Sequence, residues 1–333
     1  MSAGSTGTKR TASVIKELFV KYWLLFFLTL VILYAAIARI SVMDVWEALG
    51  QLALWQLAVL LSIYFVISCL NILLRKYLLD SMGQKPRVKN LFLIHFTSMA
   101  AHYSTPAKLG FPITVLLLNK LENISYSVGT SMVLVELVIS TAICGAIGTA
   151  GTIFYFAEGR LLLAFLALLA VLLLIFLLGC WIQKRNPDGR AARSVRKVIG
   201  GIRSLSLHSI VSYSIMRILV QLCAAINLFL LCRFFSVNIS YPIAVVVGSS
   251  AFFIGALSMI PMGLGVREGS VLLYLAKFGF RGAEAISVVT VQRLISTGFT
   301  FLVGILLAAL FGIDKIIKGS SEEKFAVPPD GPQ

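Results

Sequence analysis

The stretch Ser258–Ser270, SMIPMGLGVREGS, decides how the rest of the chain is read. It places Pro261, Gly263, Gly265, Arg267 and Glu268 between two apolar runs, AVVVGSSAFFIGAL and VLLYLAKFGF, neither long enough to cross a bilayer easily. A hydrocarbon core of ~30 Å needs ~20 apolar residues as helix. The surrounding chain is 59% hydrophobic and 13% charged, with a mean hydropathy of +0.94. A water-soluble domain cannot bury that much apolar surface. The apolar runs do not alternate in character, so they are helices and not strands of a membrane barrel.

Outward from that stretch, long apolar spans are expected over 22–40, 52–74, 128–156, 161–181, 209–235 and 283–311. The net charge of +15 is concentrated in short loops beside them. Arg75, Lys76, Lys85, Arg87 and Lys89 face only Asp80 in one such loop, and Lys184, Arg185, Arg190, Arg193, Arg196, Lys197 and Arg203 face only Asp188 in another. Basic loops stay cytoplasmic and attract anionic lipid headgroups; this distribution does not call for nucleic acid. RAARSVRKVIGGIRSL has the pattern of an amphipathic helix lying on the inner leaflet. Lys9, Arg10, Lys16 and Lys21 place the N-terminus (1–21) inside, and Lys315 and Lys318 do the same for the C-terminal tail (313–333), whose polar, Pro-rich end reads as disordered. The termini are therefore expected in the cytoplasm and the chain in the plasma membrane. The first apolar run is long for a signal peptide and is expected to be retained.

Two regions remain, 91–121 and 242–277. Each consists of two short apolar arms around a proline-glycine break, the pattern of a re-entrant hairpin. One break reads TPAKLGFPITVLLL and the other IPMGLGVREGSVLLY, so Pro106 to Gly110 and Pro261 to Gly265 share P-x-x-L-G at an offset of 265 − 110 = 155. Charge parity starts the first hairpin inside and the second outside. The fold class expected is an all-α polytopic membrane protein: about six full transmembrane helices plus two re-entrant broken-helix hairpins in an inverted-topology repeat. Its halves are 22–156 and 209–312, joined by a helix and basic loop over 157–208.

Broken backbone is tolerated at membrane depth only where protein or water covers it, so a polar cavity is expected at the repeat interface. The second arm should start near Val266, with Glu268 suited to the positive end of the helix dipole. Arg267 is unfavourable there unless it holds an anion together with the first amides. Lys108 offers the same charge from the first hairpin. Deeper in the spans lie Glu136 and Arg293, which follow their hairpins by 26 and 28 residues and are expected to face each other and pair. Arg217 and Gln221, four apart, form another buried polar face. Each intramembrane charge costs roughly 2.5–3.5 kcal/mol and is a candidate functional residue on that ground. Structural ion pairing and a snorkelling Arg267 are the plainer readings of the same residues. The five cysteines, all in apolar segments without a C-x-x-C, read as small core residues. His95 and His102 have no third ligand nearby, and no metal or cofactor is expected.

TPAKLGFP, the VLVE ending at Glu136, and IPMGLGVREGSVLLYLAKFGFRGAEAISVVTVQRLIS resemble the transmembrane region of lysylphosphatidylglycerol synthases, a flippase-like family of integral membrane proteins. The resemblance covers most of the chain from the first span to the last. It implies a protein that binds, and translocates, a phospholipid or a polyprenyl-phosphate-linked lipid, alone or beside a separate synthase or glycosyltransferase. Where many relatives carry Gly-Glu and then a basic residue after the first proline loop, this chain has Phe111 and Thr114. Only a short tail follows Phe311, so the chain is not expected to aminoacylate a lipid by itself. Three functions stay open at this level: a lipid translocase, an accessory or scaffold subunit for a lipid-modifying enzyme, and a membrane-embedded transferase. The last would need a base or paired carboxylates, and the outer loops offer only Asp44, Glu47, Glu158 and Glu284, without a D-x-D. No nucleotide-binding sequence is present.

Overall fold

A computed structural model describes residues 50–104, 110–156, 190–258, 265–280 and 282–310, together with Gly263 and a few positions between 162 and 170. The expected spans over 22–40 and 161–181, the tail, and Pro106, Lys108 and Pro261 lie outside the described residues, apart from those few positions. The described residues fall within one compact unit, 48–333, and their regular structure is helical.

Among the described residues ten α-helices follow in order: α1 (Leu54–Ser81), α2 (Val88–Ser104), α3 (Gly110–Glu122), α4 (Tyr126–Phe156), α5 (Arg190–Arg203), α6 (Leu207–Phe234), α7 (Tyr241–Leu257), α8 (Val266–Lys277), α9 (Ala283–Arg293) and α10 (Phe299–Leu310). A π-helical turn, Leu294–Gly298, joins α9 to α10 in one continuous rod. Among the described residues four rods are long and apolar enough to cross a membrane: Leu54–Ser81, Tyr126–Phe156, Leu207–Phe234 and Ala283–Leu307. These are four of the six expected spans. The arms α2–α3 and α7–α8 fall at the two expected hairpins.

The burial pattern is that of a protein dissolved in lipid. Phe65, Val66 and Leu73 on α1, Ile215 and Leu219 on α6, and Leu302 and Leu306 on α10 are exposed, while Arg75, His95, Gln221, Asn227, Ser249 and Ser250 are buried. Polar groups that lipid cannot solvate turn inward, where other helices satisfy them.

Packing in the first half has a counterpart in the second. The arms pack together in both hairpins, α2 on α3 and α7 on α8; α2 lies on α10 as α7 lies on α4; α3 meets α4 as α8 meets α9; and α1 pairs with α6. The α1–α6 pair is antiparallel: Asn227 Nδ2 donates to the Leu60 carbonyl at 2.9 Å, and Arg217 Nη1 to Asn71 Oδ1 at 2.6 Å. Glycines set the two long crossings. A Cβ at Gly148 of α4 would stand 3.0 Å from the Ser250 Cα of α7, and one at Gly304 of α10 would run into the Phe96 carbonyl of α2. Two apolar cores result, one around each hairpin, with α1 and α6 contributing to both.

α5 is the expected amphipathic helix. It rests on the start of α4, where Ser131 Oγ donates to the Val198 carbonyl at 2.9 Å, and Gly201 leaves room for that serine.

Candidate functional site

The second hairpin turns where the sequence breaks. Gly263 and Gly265 have φ of +62° and +76°, a left-handed backbone that glycine adopts without strain. Gly263 also presses on Gly255 of α7, where an added Cβ would come within 3.0 Å of the Gly255 Cα. α8 begins at Val266, as expected, and Glu268 Oε2 accepts from the Gly265 amide at 2.8 Å. This closes the first turn and places a carboxylate at the positive end of the dipole. In the first hairpin, Gly110 starts α3 against Ser98 and His102 of α2, with no room for a side chain.

The intramembrane charges form ion pairs, but not the pair expected. Glu136 does not face Arg293. Its carboxylate is held by Arg75, with Nε to Oε2 at 3.2 Å and Nη2 to Oε1 at 3.1 Å. Arg293 Nη1 meets Glu268 Oε1 at 3.1 Å. Glu136 and Arg293 each stand ten positions after the start of their helix, Tyr126 and Ala283. Equal spacing from a helix start sets the depth of a side chain along its rod and not the helix that it faces.

Arg75 is the residue the sequence reading assigned to a cytoplasmic loop. It lies inside α1, which runs to Ser81, and is only 8% exposed. Leu78 and Leu79, one turn on, share its buried face, and Lys76 pairs with Asp80 on the outside at 2.7 Å. The leucines were the available signal that the helix continues. Asn71, one turn before Arg75, was also missed; it accepts from Arg217. Gln221, on the same face of α6 as Arg217, donates to Ser249 Oγ of α7 at 3.1 Å.

These residues form one connected set. Asn71, which Arg217 reaches, lies one turn before Arg75 on α1, and Gln221, one turn after Arg217, reaches Ser249 of α7. Arg267 is half-buried, with its Cβ and Cγ 3.4 and 3.9 Å from where a Cβ on Gly255 would lie, and its neighbour Glu268 carries the set on to Arg293. Glu136, Arg217 and Arg293 each stand ten positions into their helices, about 15 Å at 1.5 Å per residue and so about half of a hydrocarbon core. Four arginines against two glutamates leave a surplus of two positive charges. Two guanidinium nitrogens, Arg75 Nη1 and Arg217 Nε, are buried with no hydrogen-bond partner among the described residues. A buried cationic donor left over in this way suits an anion. The π-turn begins immediately after Arg293, a distortion common at functional positions.

Among the described residues no three His, Cys, Asp or Glu side chains come together as a metal site. Of the expected headgroup residues, Arg217, Arg267, Glu268, Glu136 and Arg293 therefore fall in the connected set; Lys108 lies outside the described residues.

Comparison with curated proteins found no match. The sequence profile of the lysylphosphatidylglycerol synthase TM region matches residues 21–304, which takes in both hairpins and every residue of the charge cluster. With four helices fit to span a membrane and a profile that covers most of its length, the chain belongs to the lysylphosphatidylglycerol synthase transmembrane-region family, whose members are membrane proteins of lipid metabolism or translocation.

Proposed function

We propose that the chain binds the headgroup of an anionic phospholipid or polyprenyl-linked lipid in the charge cluster and carries it between leaflets. The observation that carries this reading is the surplus of two positive charges among the arginines of the cluster, with two buried guanidinium nitrogens, Arg75 Nη1 and Arg217 Nε, unpartnered among the described residues. Such charge is costly in a membrane and is compensated when an anion is bound. The matched packing of the two halves and the antiparallel α1–α6 pair support an inverted repeat, in which rocking of one half against the other exposes a midplane site to each side in turn. The headgroup then moves through the protein while its acyl or prenyl chains stay in lipid against the apolar outer faces of the helices.

The reading is of a carrier and not a catalyst. Both carboxylates of the cluster are held in ion pairs with arginines, which leaves neither as a free general base. The basic loops support an orientation with both termini in the cytoplasm, and the reading takes the membrane to be the plasma membrane. A separate synthase or glycosyltransferase would supply or consume the lipid.

The test is transbilayer movement in proteoliposomes. Vesicles of phosphatidylcholine carry a trace of phosphatidic acid or, in a separate set, of phosphatidylglycerol, each with a fluorescent acyl chain and present in both leaflets, and a membrane-impermeant reductant is added outside. The protein should expose the inner-leaflet probe, and Arg267→Ala should slow that phase by about tenfold, the worth of one charge-assisted contact. Inner-leaflet probe as protected as in protein-free vesicles would overturn the translocase reading. A partner enzyme that loses activity when this protein is removed, with lipid movement unchanged, would favour an accessory role.

A further inference from the structure

The arginines of the cluster are not equivalent. Arg75 and Arg293 each have a carboxylate within 3.1 Å. Among the described residues Arg217 has only the neutral amide oxygen of Asn71, and its Nε is buried without a partner. Arg267 makes no ion pair or hydrogen bond among the described residues. The two positive charges left over therefore reside on Arg217 of α6 and Arg267 of α8.

We infer that the group bound here is a phosphate carrying two negative charges, held between Arg217 and Arg267. This rests on the headgroup-binding reading and narrows it to a phosphomonoester or diphosphate in preference to a phosphodiester. A phosphodiester headgroup such as that of phosphatidylglycerol carries one charge and would leave one arginine uncompensated in the membrane. A terminal phosphate carries about 1.5–2 charges near neutrality and offers three acceptor oxygens, enough to meet both guanidinium forks.

Three further observations fit. α7 touches both elements: Gln221, one turn on from Arg217, donates to its Ser249 at 3.1 Å, and Arg267 packs on its Gly255. Arg267 lies in the first turn of α8, where the dipole disfavours its own charge, and the Glu268 carboxylate beside it is already engaged by the Gly265 amide and by Arg293. Gly255 of α7 leaves the stem of Arg267 a bare surface to lie on. Arg75 and Arg293, already neutralised, then act as walls that fix Glu136 and Glu268 away from the bound anion.

Titration of the ligand tests this. The purified full-length chain in phosphatidylcholine nanodiscs is titrated with short-chain phosphatidic acid, a phosphomonoester, with phosphatidylglycerol of the same chains, and with inorganic phosphate. Binding is followed by tryptophan fluorescence at about pH 5 and about pH 8, on either side of the second phosphate ionisation near 6. Arginine stays charged throughout. His95, Cys144, Tyr213, Glu136 and Glu268 also face the cluster, and the phosphatidylglycerol arm, whose own charge is constant, reports any part they play.

Phosphatidic acid should bind about tenfold to a hundredfold more tightly at the higher pH, the worth of one added charge-assisted contact, while phosphatidylglycerol changes little. Arg217→Gln and Arg267→Gln should each remove that rise. Arg217→Lys and Arg267→Lys, which keep the charge, should retain most of it, as should Lys197→Gln on the exposed face of α5. Tighter binding of phosphatidic acid than of inorganic phosphate assigns the anion to a lipid, and the reverse assigns it to a free ion; both support a two-charge site. Equal affinity for phosphatidic acid and phosphatidylglycerol at both pH values would overturn the inference and leave lipid binding standing, whereas no binding of any of the three would remove both. A pH rise that survives in the Arg217→Gln/Arg267→Gln double variant would overturn it as well.

Discussion

Removing the Glu136 carboxylate should be among the most damaging single changes in the chain, and removing its partner with it should largely restore stability. Glu136 accepts two hydrogen bonds from Arg75, at 3.1 and 3.2 Å, and the two side chains are 24% and 9% exposed. In Glu136→Leu the Arg75 guanidinium keeps its burial and loses both of these contacts, on top of an Nη1 that has no partner among the described residues. Breaking a buried pair costs 3–5 kcal/mol; with a quarter of the carboxylate accessible, about 2–4 kcal/mol is expected. Arg75→Met alone should cost a similar amount by stranding Glu136. Since apolar pairs of similar volume replace buried ion pairs at little cost, the Arg75→Met/Glu136→Leu double variant should return to within about 1 kcal/mol of the parent, giving a coupling energy of about 2–4 kcal/mol. Denaturant unfolding in mixed micelles, followed by tryptophan fluorescence, measures all four corners of the cycle. Single variants as stable as the parent, or a double variant whose loss is the sum of the singles, would refute the pairing.

The glycines separate close packing from backbone freedom. Gly148→Ala should destabilise by about 1–3 kcal/mol, because its Cβ would meet Ser250 Cα at 3.0 Å and Ser250 Oγ at 2.8 Å, whereas Gly200→Ala on exposed α5 meets nothing within 4 Å and should stabilise by up to about 1 kcal/mol; melting temperatures of the two variants check the contrast. Gly265→Ala meets nothing within 4 Å either, but its φ of +76° should cost about 1–2 kcal/mol, and Gly265→Asn, which tolerates that backbone, should lose less in the same melts. Tyr274→Phe removes the 2.6 Å hydrogen bond to Thr152 that joins α8 to α4, and should cost about 0.6–2 kcal/mol by the same unfolding assay.

Much of this architecture follows from hydropathy and punctuation. Apolar runs longer than a bilayer is thick gave the rods at 54–81, 126–156, 207–234 and 283–307, because a helix in lipid must be continuous over that length. The glycines at 263 and 265 marked the hairpin turn because few other residues hold a positive φ. Glu268 was legible as a cap from its place in the first turn, since the dipole rule is local. Pairing was not legible, because an ion pair between distant helices depends on how they rotate and dock. Arg75 was lost for a different reason. A basic residue after a long apolar run has the appearance of a loop start, and only the buried leucines at 78 and 79 show that the same helix face goes on. Asn71 followed Arg75 out of view, since an asparagine carries no charge to attract notice until Arg217 is seen beside it.

Native mass spectrometry of the lipids that leave the membrane with the protein tests the cationic site most directly. The parent chain should retain a phosphate-bearing anionic lipid in defined stoichiometry after extensive delipidation, and the Arg217→Gln/Arg267→Gln variant, equally folded by its melting profile, should release it. Equal retention of that lipid by both proteins, or a parent chain that holds only zwitterionic lipid, would contradict a site built from these two arginines.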